Sequence, residues 1–577
     1  MLSLSNAVGP EAAPRPSAIA ASPPRVARAR AAWAATRPAT TAAVALAVWL
    51  TIAGNLTLWR ELARIDANAR GLLTGVAVAL VLAALTTALL SLTAWSRWTK
   101  PVWIAVVLAT AVSQHYMLSY GIVIDTTMLA NVTATNRGEA ADLLTWALLG
   151  NVLLVAGPPL LWLVPLRIVP ARRAAARALL LFVAALAVAA GGIAASYSVL
   201  APLVRNHMQL RFLPNPLTPL VSAVRLGVKP LMRRPGALVP VSAGATLGPT
   251  YAEGAKPPLL VLVVGETARA DHFGLNGYGR DTTPELRAQG VLSFRDVRSC
   301  GTNTLASVPC MFSSLGKDRF GSRSAEHENL LDVLQAAGLA VLWVDNQAGC
   351  KGVCDRVASA TTADLSGTRA GSRLCSDGEC LDEALLEGLD ARVDALPAQR
   401  RGRGVVVVMH QMGSHGPAYA RRSPASAKRF QPECLTTTLA DCDRAGLVNA
   451  YDNSIAYTDH VLARTIGWLR SRSGEFATAM LYVSDHGESL GEFGVYLHGL
   501  PYAIAPESQK RVPMIAWLGD DIVRRDRLDR ACLGGRLDQQ LSHDHLYHSV
   551  LGLLDIGSPS LIPSLDVWSA CRRHDAP

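Results

Sequence analysis

Apolar residues are distributed unevenly along the 577-residue chain. Five apolar runs succeed one another in the first two hundred residues, near Thr41–Trp59, Gly71–Trp95, Pro101–Val123, Trp146–Leu166 and Ala178–Val199. Each approaches or exceeds the roughly 20 helical residues that cross the hydrocarbon core of a bilayer. Five such runs in succession predict membrane spans in place of buried core helices. The first is too long for a signal-peptide core and has no convincing small-residue cleavage site.

From Pro258 the pattern changes. "PLLVLVVGE", "LAVLWVDN", "GVVVVMHQ", "ATAMLYVSDHGE" and "VPMIAWLG" are short β-rich runs, most of them ending in a polar cluster. Helical patterns such as "NLLDVLQAAG" and "YTDHVLARTIGWLRSR" lie between them. Near-continuous apolar strands alternating with helices predict an α/β domain with a mainly parallel sheet covered by helices on both faces. Sites in such sheets lie beyond the carboxyl ends of the strands, so Glu266, His410, Asp485 and His486 are expected on one rim. The organisation predicted is a disordered cytoplasmic N-terminus over 1–40, a five-helix membrane domain over 41–199, a linker over 200–257 and a catalytic domain over 258–577.

Charge and cysteine usage add an orientation. The net charge is +10, and all ten cysteines lie between Cys300 and Cys571. A cysteine-rich soluble half after a cysteine-free apolar half points to an oxidising compartment. Arg15, Arg25, Arg28, Arg30 and Arg37 precede the first run, Arg97 and Lys100 sit in the second connection, and Arg167, Arg172, Arg173 and Arg177 in the fourth. The positive-inside rule places these on the cytoplasmic side, although Arg60, Arg64 and Arg70 weaken the bias at the first connection. Five spans then put the C-terminal half outside, where thiols oxidise. No acidic residue occurs from Leu143 to Ala252, and the linker mixes Arg and Lys with Leu, Phe and Pro. Such a segment suits the membrane interface. A further amphipathic piece is expected over 124–143, between the third and fourth spans.

Candidate chemistry begins at the strand ends. Glu266 follows one strand; Asp485 and His486 follow another. Alone, the first reads as a helix cap and the second as a structural pair. Together on one rim, two carboxylates and an imidazole suit zinc with a fourth position open. The stretch "SCGTNTLASVPCMF" places Cys300 and Cys310 around Thr302, Thr304 and Ser307. A disulfide there would either stiffen a surface loop or fix one hydroxyl at the metal, where its deprotonated form is favoured and nucleophilic.

The motifs "GETARADHFGLNGYGRDTTP", "RSCGTNTLASVPCMFS", "DNQAGCKGVCDR", "HQMGSHGPAY", "SDHGESLGE" and "YLHGLPYAIAP" resemble the phosphoethanolamine transferases that modify lipid A. These are members of the alkaline phosphatase and sulfatase superfamily that include the mobile colistin-resistance enzymes. The resemblance runs from the spans to about Trp517. It implies a multi-pass bacterial inner-membrane enzyme with a periplasmic catalytic domain, which moves phosphoethanolamine from phosphatidylethanolamine to a phosphate of lipid A. No nucleic-acid or obligate protein partner is implied. Carried over by motif, the zinc ligands are Glu266, Thr304, Asp485 and His486, with Thr304 the nucleophile. Gln347, Lys351, His415, Glu488 and His498 fall where the family contacts substrate or a second zinc; Lys351, His415 and His498 are expected to assist catalysis. Gln347 departs from the asparagine frequent in related enzymes. The remaining cysteines close local loops as Cys350–Cys354, Cys375–Cys380 and Cys434–Cys442, leaving Cys532 and Cys571 as the last pair. A sulfatase-type hydrolase is disfavoured because the nucleophile loop lacks a C/S-x-P-x-R context, and a non-catalytic scaffold because the ligand set is complete. A transferase acting on glycerol phosphate or glucans fits the long motifs poorly, whereas a core-sugar acceptor remains open.

Overall fold

The apolar runs fold as helices α1 (Ala39–Ala53), α2 (Leu56–Ile65), α3 (Ala69–Ser91), α4 (Thr99–Tyr120), α6 (Trp146–Leu163) and α7 (Ala174–Asn206), with α5 (Thr126–Ala134) between α4 and α6. The computed structural model describes residues 36–135, 137–168, 173–232, 238–376 and 378–573. Most of the segment predicted to be disordered, with Arg15, Arg25, Arg28 and Arg30, lies outside those residues, as does Arg172.

Four of these helices are long and apolar enough to cross a membrane, and a fifth span forms only if the bent pair α1–α2 counts as one. The continuous first span predicted over Thr41–Trp59 is therefore corrected to two helices meeting at 53°. The break has a tertiary cause. Asn55 donates to the carbonyls of Leu50 (2.9 Å) and Asn215 (2.6 Å), and Asn215 donates in return to those of Gly54 (3.0 Å) and Thr110 (2.8 Å). Polar groups freed by a break among apolar helices need such partners. Helix α1 packs along α3, and its small residues Ala42, Ala43 and Ala47 are buried in one apolar cluster with Leu90 of α3, the close approach that membrane helices favour. Large apolar side chains such as Leu72, Trp146 and Leu180 face outward.

The last long helix runs to Asn206, past the end predicted at Val199, and the linker contains α8 (Leu217–Met232). Helix α5 occupies the predicted amphipathic connection and touches both α8 and the soluble domain. Lys351 Nζ donates to the Ala134 carbonyl at its end (3.4 Å), Arg421 pairs with Asp142, and Tyr120 Oη donates to the Thr437 carbonyl (3.3 Å). The two halves thus meet through side chains at the outer ends of the spans.

The soluble domain is built on one eight-stranded sheet. Its strands are β1 (Pro258–Gly265), β2 (Leu292–Arg298), β3 (Ala340–Asp345), β4 (Ala358–Thr361), β5 (Val405–His410), β6 (Ala477–Ser484), β7 (Arg511–Leu518) and β8 (Gln540–Ser542), in the order β8-β2-β7-β6-β1-β5-β3-β4. All pairings are parallel except those of β7 with β6 and β2. Strands β1, β3, β5 and β6 are buried along their whole length, which is why they read as unbroken apolar runs. Helices cover both faces, among them α10 (Arg444–Ser471) on one and α11 (Asp544–Leu553) on the other. The register aligns Gly265 with Ser484, Val264 with His410 and His410 with Asp345. The residues that follow, Glu266, Asp485, Gln411 and Asn346, therefore leave the sheet at one level.

Candidate active site

Thr304 opens helix α9 (Thr304–Met311) directly after the loop that leaves β2. Asn303 caps the helix by accepting from the Ala306 amide at 3.0 Å. Cys300 and Cys310 are joined by a disulfide, Cα atoms 6.1 Å apart, across this loop and helix. The three hydroxyls within the loop have different partners. Thr302 Oγ1 donates to the Leu500 carbonyl (2.6 Å), and Ser307 Oγ to the Asp485 carbonyl. Only Thr304 Oγ1 faces the carboxylates, donating to Glu266 at 3.0 Å from Oε2 and 3.3 Å from Oε1. His486 Nε2 lies 3.5 Å from the same oxygen.

Glu266, Asp485 and His486 are fully buried. His486 Nε2 stands 3.2 Å from Glu266 Oε1 and 3.3 Å from Asp485 Oδ2. Its Nδ1 is 2.9 Å from the Gly487 carbonyl, an acceptor that keeps a proton on Nδ1 and leaves Nε2 facing the two carboxylates. Asp485 Oδ2 is buried without a hydrogen-bond donor. Burial, then the charge of Glu266, push the Asp485 carboxyl up to about 7. Burial disfavours the His486 imidazolium, yet the two acids outweigh it and raise His486 to about 10. A buried carboxylate oxygen left without a donor beside a second carboxylate calls for a cation. Two carboxylates, an imidazole and a hydroxyl are a donor set that zinc accepts, so the residues fit the metal.

A second group of potential ligands shares Glu266 with His415 and His498. His415 Nδ1 is buried without a partner. His498 Nδ1 is hydrogen-bonded to Glu488 Oε2 (2.8 Å), and Tyr419 Oη donates to the other oxygen (2.7 Å). Burial pushes the Glu488 carboxyl up to about 8. The imidazoles of His486 and His498 are 4.3 Å apart, those of His415 and His498 5.4 Å. The His415 loop reaches the site because Gly413, at φ 53°, passes so close that a Cβ would stand 2.6 Å from the Glu266 carbonyl.

The remaining sequence candidates divide. Gln347 Nε2 donates to Glu266 Oε2 at 3.0 Å, so the longer amide reaches a proposed ligand directly. Lys351 is not brought to the cluster in the same way. It lies inside the Cys350–Cys354 disulfide, its Nζ donates to the carbonyls of Ala348 (2.8 Å) and Ala134 (3.4 Å), and it lines a 930 Å³ cavity beside α9. His410 is held by Asp345 (2.8 Å), which also accepts from Trp343. Disulfides also join Cys375 to Cys380, Cys434 to Cys442 and Cys532 to Cys571.

Sequence reasoning missed two features. Thr267, Lys351 and Leu497 adopt positive φ (54°, 52° and 61°) next to or at candidate site residues, strain that non-glycine side chains rarely accept. His543 is buried between the nucleophile loop and the Asp485 loop. It sits in "LSHDHLYH", beyond the last quoted motif, and its partners are main-chain atoms distant in sequence.

Comparison with known proteins gives the chain a family. The sulfatase family profile matches residues 258–556, extending past Trp517 to include His543, and the "Phosphoethanolamine transferase EptA/EptB" profile matches 82–231. Phosphoethanolamine transferase EptA of Salmonella typhimurium is 39% identical over 480 residues, covering 81% of this chain and 84% of the relative. Phosphatidylethanolamine transferase Mcr-1 of Escherichia coli is 37% identical over 520 residues, covering 89% and 94%. The integral membrane lipooligosaccharide phosphoethanolamine transferase A (EptA) of Neisseria meningitidis superposes with a TM-score of 0.87 at 31% identity, over 92% of this chain and 99% of that one. With both its membrane half and its soluble domain matched along most of its length, the chain belongs to the EptA family of phosphoethanolamine transferases.

Proposed function

We propose that the protein transfers phosphoethanolamine from phosphatidylethanolamine to a phosphate of lipid A through a covalent intermediate on Thr304. The observation that carries this reading is the sorting of hydroxyls in the stapled loop: Thr302 and Ser307 bond carbonyls, and Thr304 alone faces Glu266 and His486. Glu266, Thr304, Asp485 and His486 would hold the metal. Zinc, when bound, supplies positive charge that favours the deprotonated hydroxyl and offsets developing charge on phosphoryl oxygens.

The chain's own residues do the positioning. Thr304 Oγ1 attacks the donor phosphorus, its proton leaving along the hydrogen bond to Glu266. The new bond to Thr304 forms as the bond to the diacylglycerol oxygen breaks. His415 or His498 protonates that oxygen, both rings lying on the Glu266 side of the site. A lipid A phosphate oxygen then attacks the same phosphorus, and Thr304 departs and regains its proton. Phosphoryl-type transfer rests on alignment and charge neutralisation. Gln347 steadies Glu266, and Glu488 orients His498. Lys351, at the mouth facing the spans, is placed to meet a lipid phosphate once it leaves its carbonyl partners. In the alternative arrangement Glu266, His415 and His498 would hold a second zinc with substrate, and the two rings would then not serve as acids.

The donor and acceptor are lipids, which accords with a membrane domain whose outer ends touch the catalytic domain. We place the protein in the bacterial inner membrane with its N-terminus cytoplasmic and the catalytic domain periplasmic. Capping lipid A phosphate with an amine lowers the negative charge of the surface and so its attraction for cationic polymyxins. Lipid A from cells carrying the gene should be heavier by one phosphoethanolamine than lipid A from cells lacking it, and the difference should vanish with Thr304→Ala. A gain found on core sugar, with lipid A unchanged, contradicts the acceptor assignment.

A further inference from the structure

Residue His543 stands on the turn between the edge strand β8 and helix α11, 1% exposed. Its main-chain amide donates to the Arg298 carbonyl (2.9 Å), where β2 ends and the nucleophile loop begins. The ring spans the gap between two loops. Nε2 lies 2.9 Å from the Ser484 carbonyl, and the Cys300 amide donates to Nδ1 at 3.0 Å. Ser307 Oγ lies 3.4 Å from Nδ1. A carbonyl needs a donor and an amide needs an acceptor, so these partners select the neutral Nε2–H tautomer. Burial favours the same neutral form, holding the imidazole at about 4.

What the ring joins matters for the reaction. Ser484 is followed by Asp485 and His486, and Cys300 opens the loop that ends at Thr304. Ser307 works beside it, donating to the Asp485 carbonyl and accepting from the Gly301 amide at 3.3 Å. We infer that His543 is a positioning residue for the transfer: with Ser307 it clamps the nucleophile loop to the Asp485–His486 loop and sets the reach of Thr304 Oγ1 to the carboxylates. The disulfide to Cys310 closes the nucleophile loop on itself; the imidazole ties that loop to the opposite strand end. Both ring nitrogens of His543 are occupied by main-chain groups, so it takes no part in proton transfer. This inference rests on the proposed transferase reaction.

The effect expected is on turnover. A misplacement of about 1 Å, caused away from the reacting atoms, can lower rate by about 100-fold. His543→Ala should lose kcat on that order while the KM for phosphatidylethanolamine changes less than about threefold, since the side chain does not face substrate. His543→Asn keeps an acceptor near the Nδ1 position and should recover part of the loss. A readout independent of activity accompanies this. Amide hydrogen exchange by mass spectrometry of the full-length protein in detergent should show faster exchange over 299–303 in His543→Ala and near-wild-type protection in His543→Asn. If Cys300 stays protected in His543→Ala, or kcat is unchanged, the clamp is refuted; a KM effect with kcat intact would refute it too by placing His543 at substrate. If His543→Ala does not fold, His543→Asn and Ser307→Ala carry the same comparison. Wild-type protein with no transferase activity would defeat the reaction proposed above, and the exchange result would still decide whether the clamp exists.

Discussion

Thr304 and Thr302 stand two positions apart in a loop of small hydroxyl residues, and only the fold separates their uses. Thr302 is committed to Leu500, whereas Thr304 donates to a buried carboxylate. Thr304→Ala should keep the fold and abolish transfer, while Thr304→Ser should retain part of it, since a primary hydroxyl can also attack phosphorus. Glu266→Ala, Asp485→Ala and His486→Ala should each lower the zinc content of purified protein, measured by elemental analysis, and chelation should stop turnover. Full activity in a preparation free of metal would contradict the ligand assignment. The shared rim of the candidate site was legible in the sequence because the apolar strands end where the polar residues begin: Val264, Gly265, Glu266 and Val483, Ser484, Asp485 mark it by themselves. His543 was not legible. One histidine among three after a three-residue edge strand carries no pattern, and what it binds is backbone.

Among the elements, α9 depends most on its surroundings. It is eight residues long and contains Pro309, too short to persist alone. The Cys300–Cys310 disulfide and the contacts with α11 and α5 hold it. Closing a ten-residue loop removes unfolded-state entropy worth about 3 kcal/mol. Cys300→Ser should therefore lose transfer even where the protein reaches the membrane in normal amount. Free-thiol counting that finds both cysteines reduced in active wild-type protein would contradict this. Other elements escaped the sequence for physical reasons. Strand β2 mixes apolar residues with Ser293, Arg295 and Asp296 because it is only partly covered near the sheet edge. The bend between α1 and α2 depends on Asn215, 160 residues away, and no local pattern announces it.

At the scale of the molecule, the helices, the sheet and the junction between them form one arrangement for working on lipids. The outer ends of the spans and α5 meet the catalytic domain at Lys351, Arg421 and Thr437, so under the proposed reaction a donor embedded in the membrane need not leave it far to reach the site. The proposed orientation rests on the arginine-rich connections. An alkaline phosphatase fused to the C-terminus should be active and a reporter that works only in the cytoplasm inactive; the reverse pattern would overturn the topology. The membrane architecture and the mainly parallel sheet were both readable from apolar patterning, since span length and buried-strand composition are direct consequences of solvent. The junction was not, because it is made by single contacts between distant segments.

The central claim is that Thr304 carries phosphoethanolamine between donor and acceptor. Incubating the purified full-length protein with phosphatidylethanolamine in the absence of acceptor, then digesting and mapping peptides by mass spectrometry, tests it most directly. The peptide spanning Cys300–Cys310 should gain one phosphoethanolamine, located on Thr304, and lose it on addition of lipid A. An adduct on Thr302 or Ser307 would contradict the assignment, as would normal single-turnover transfer with no adduct formed.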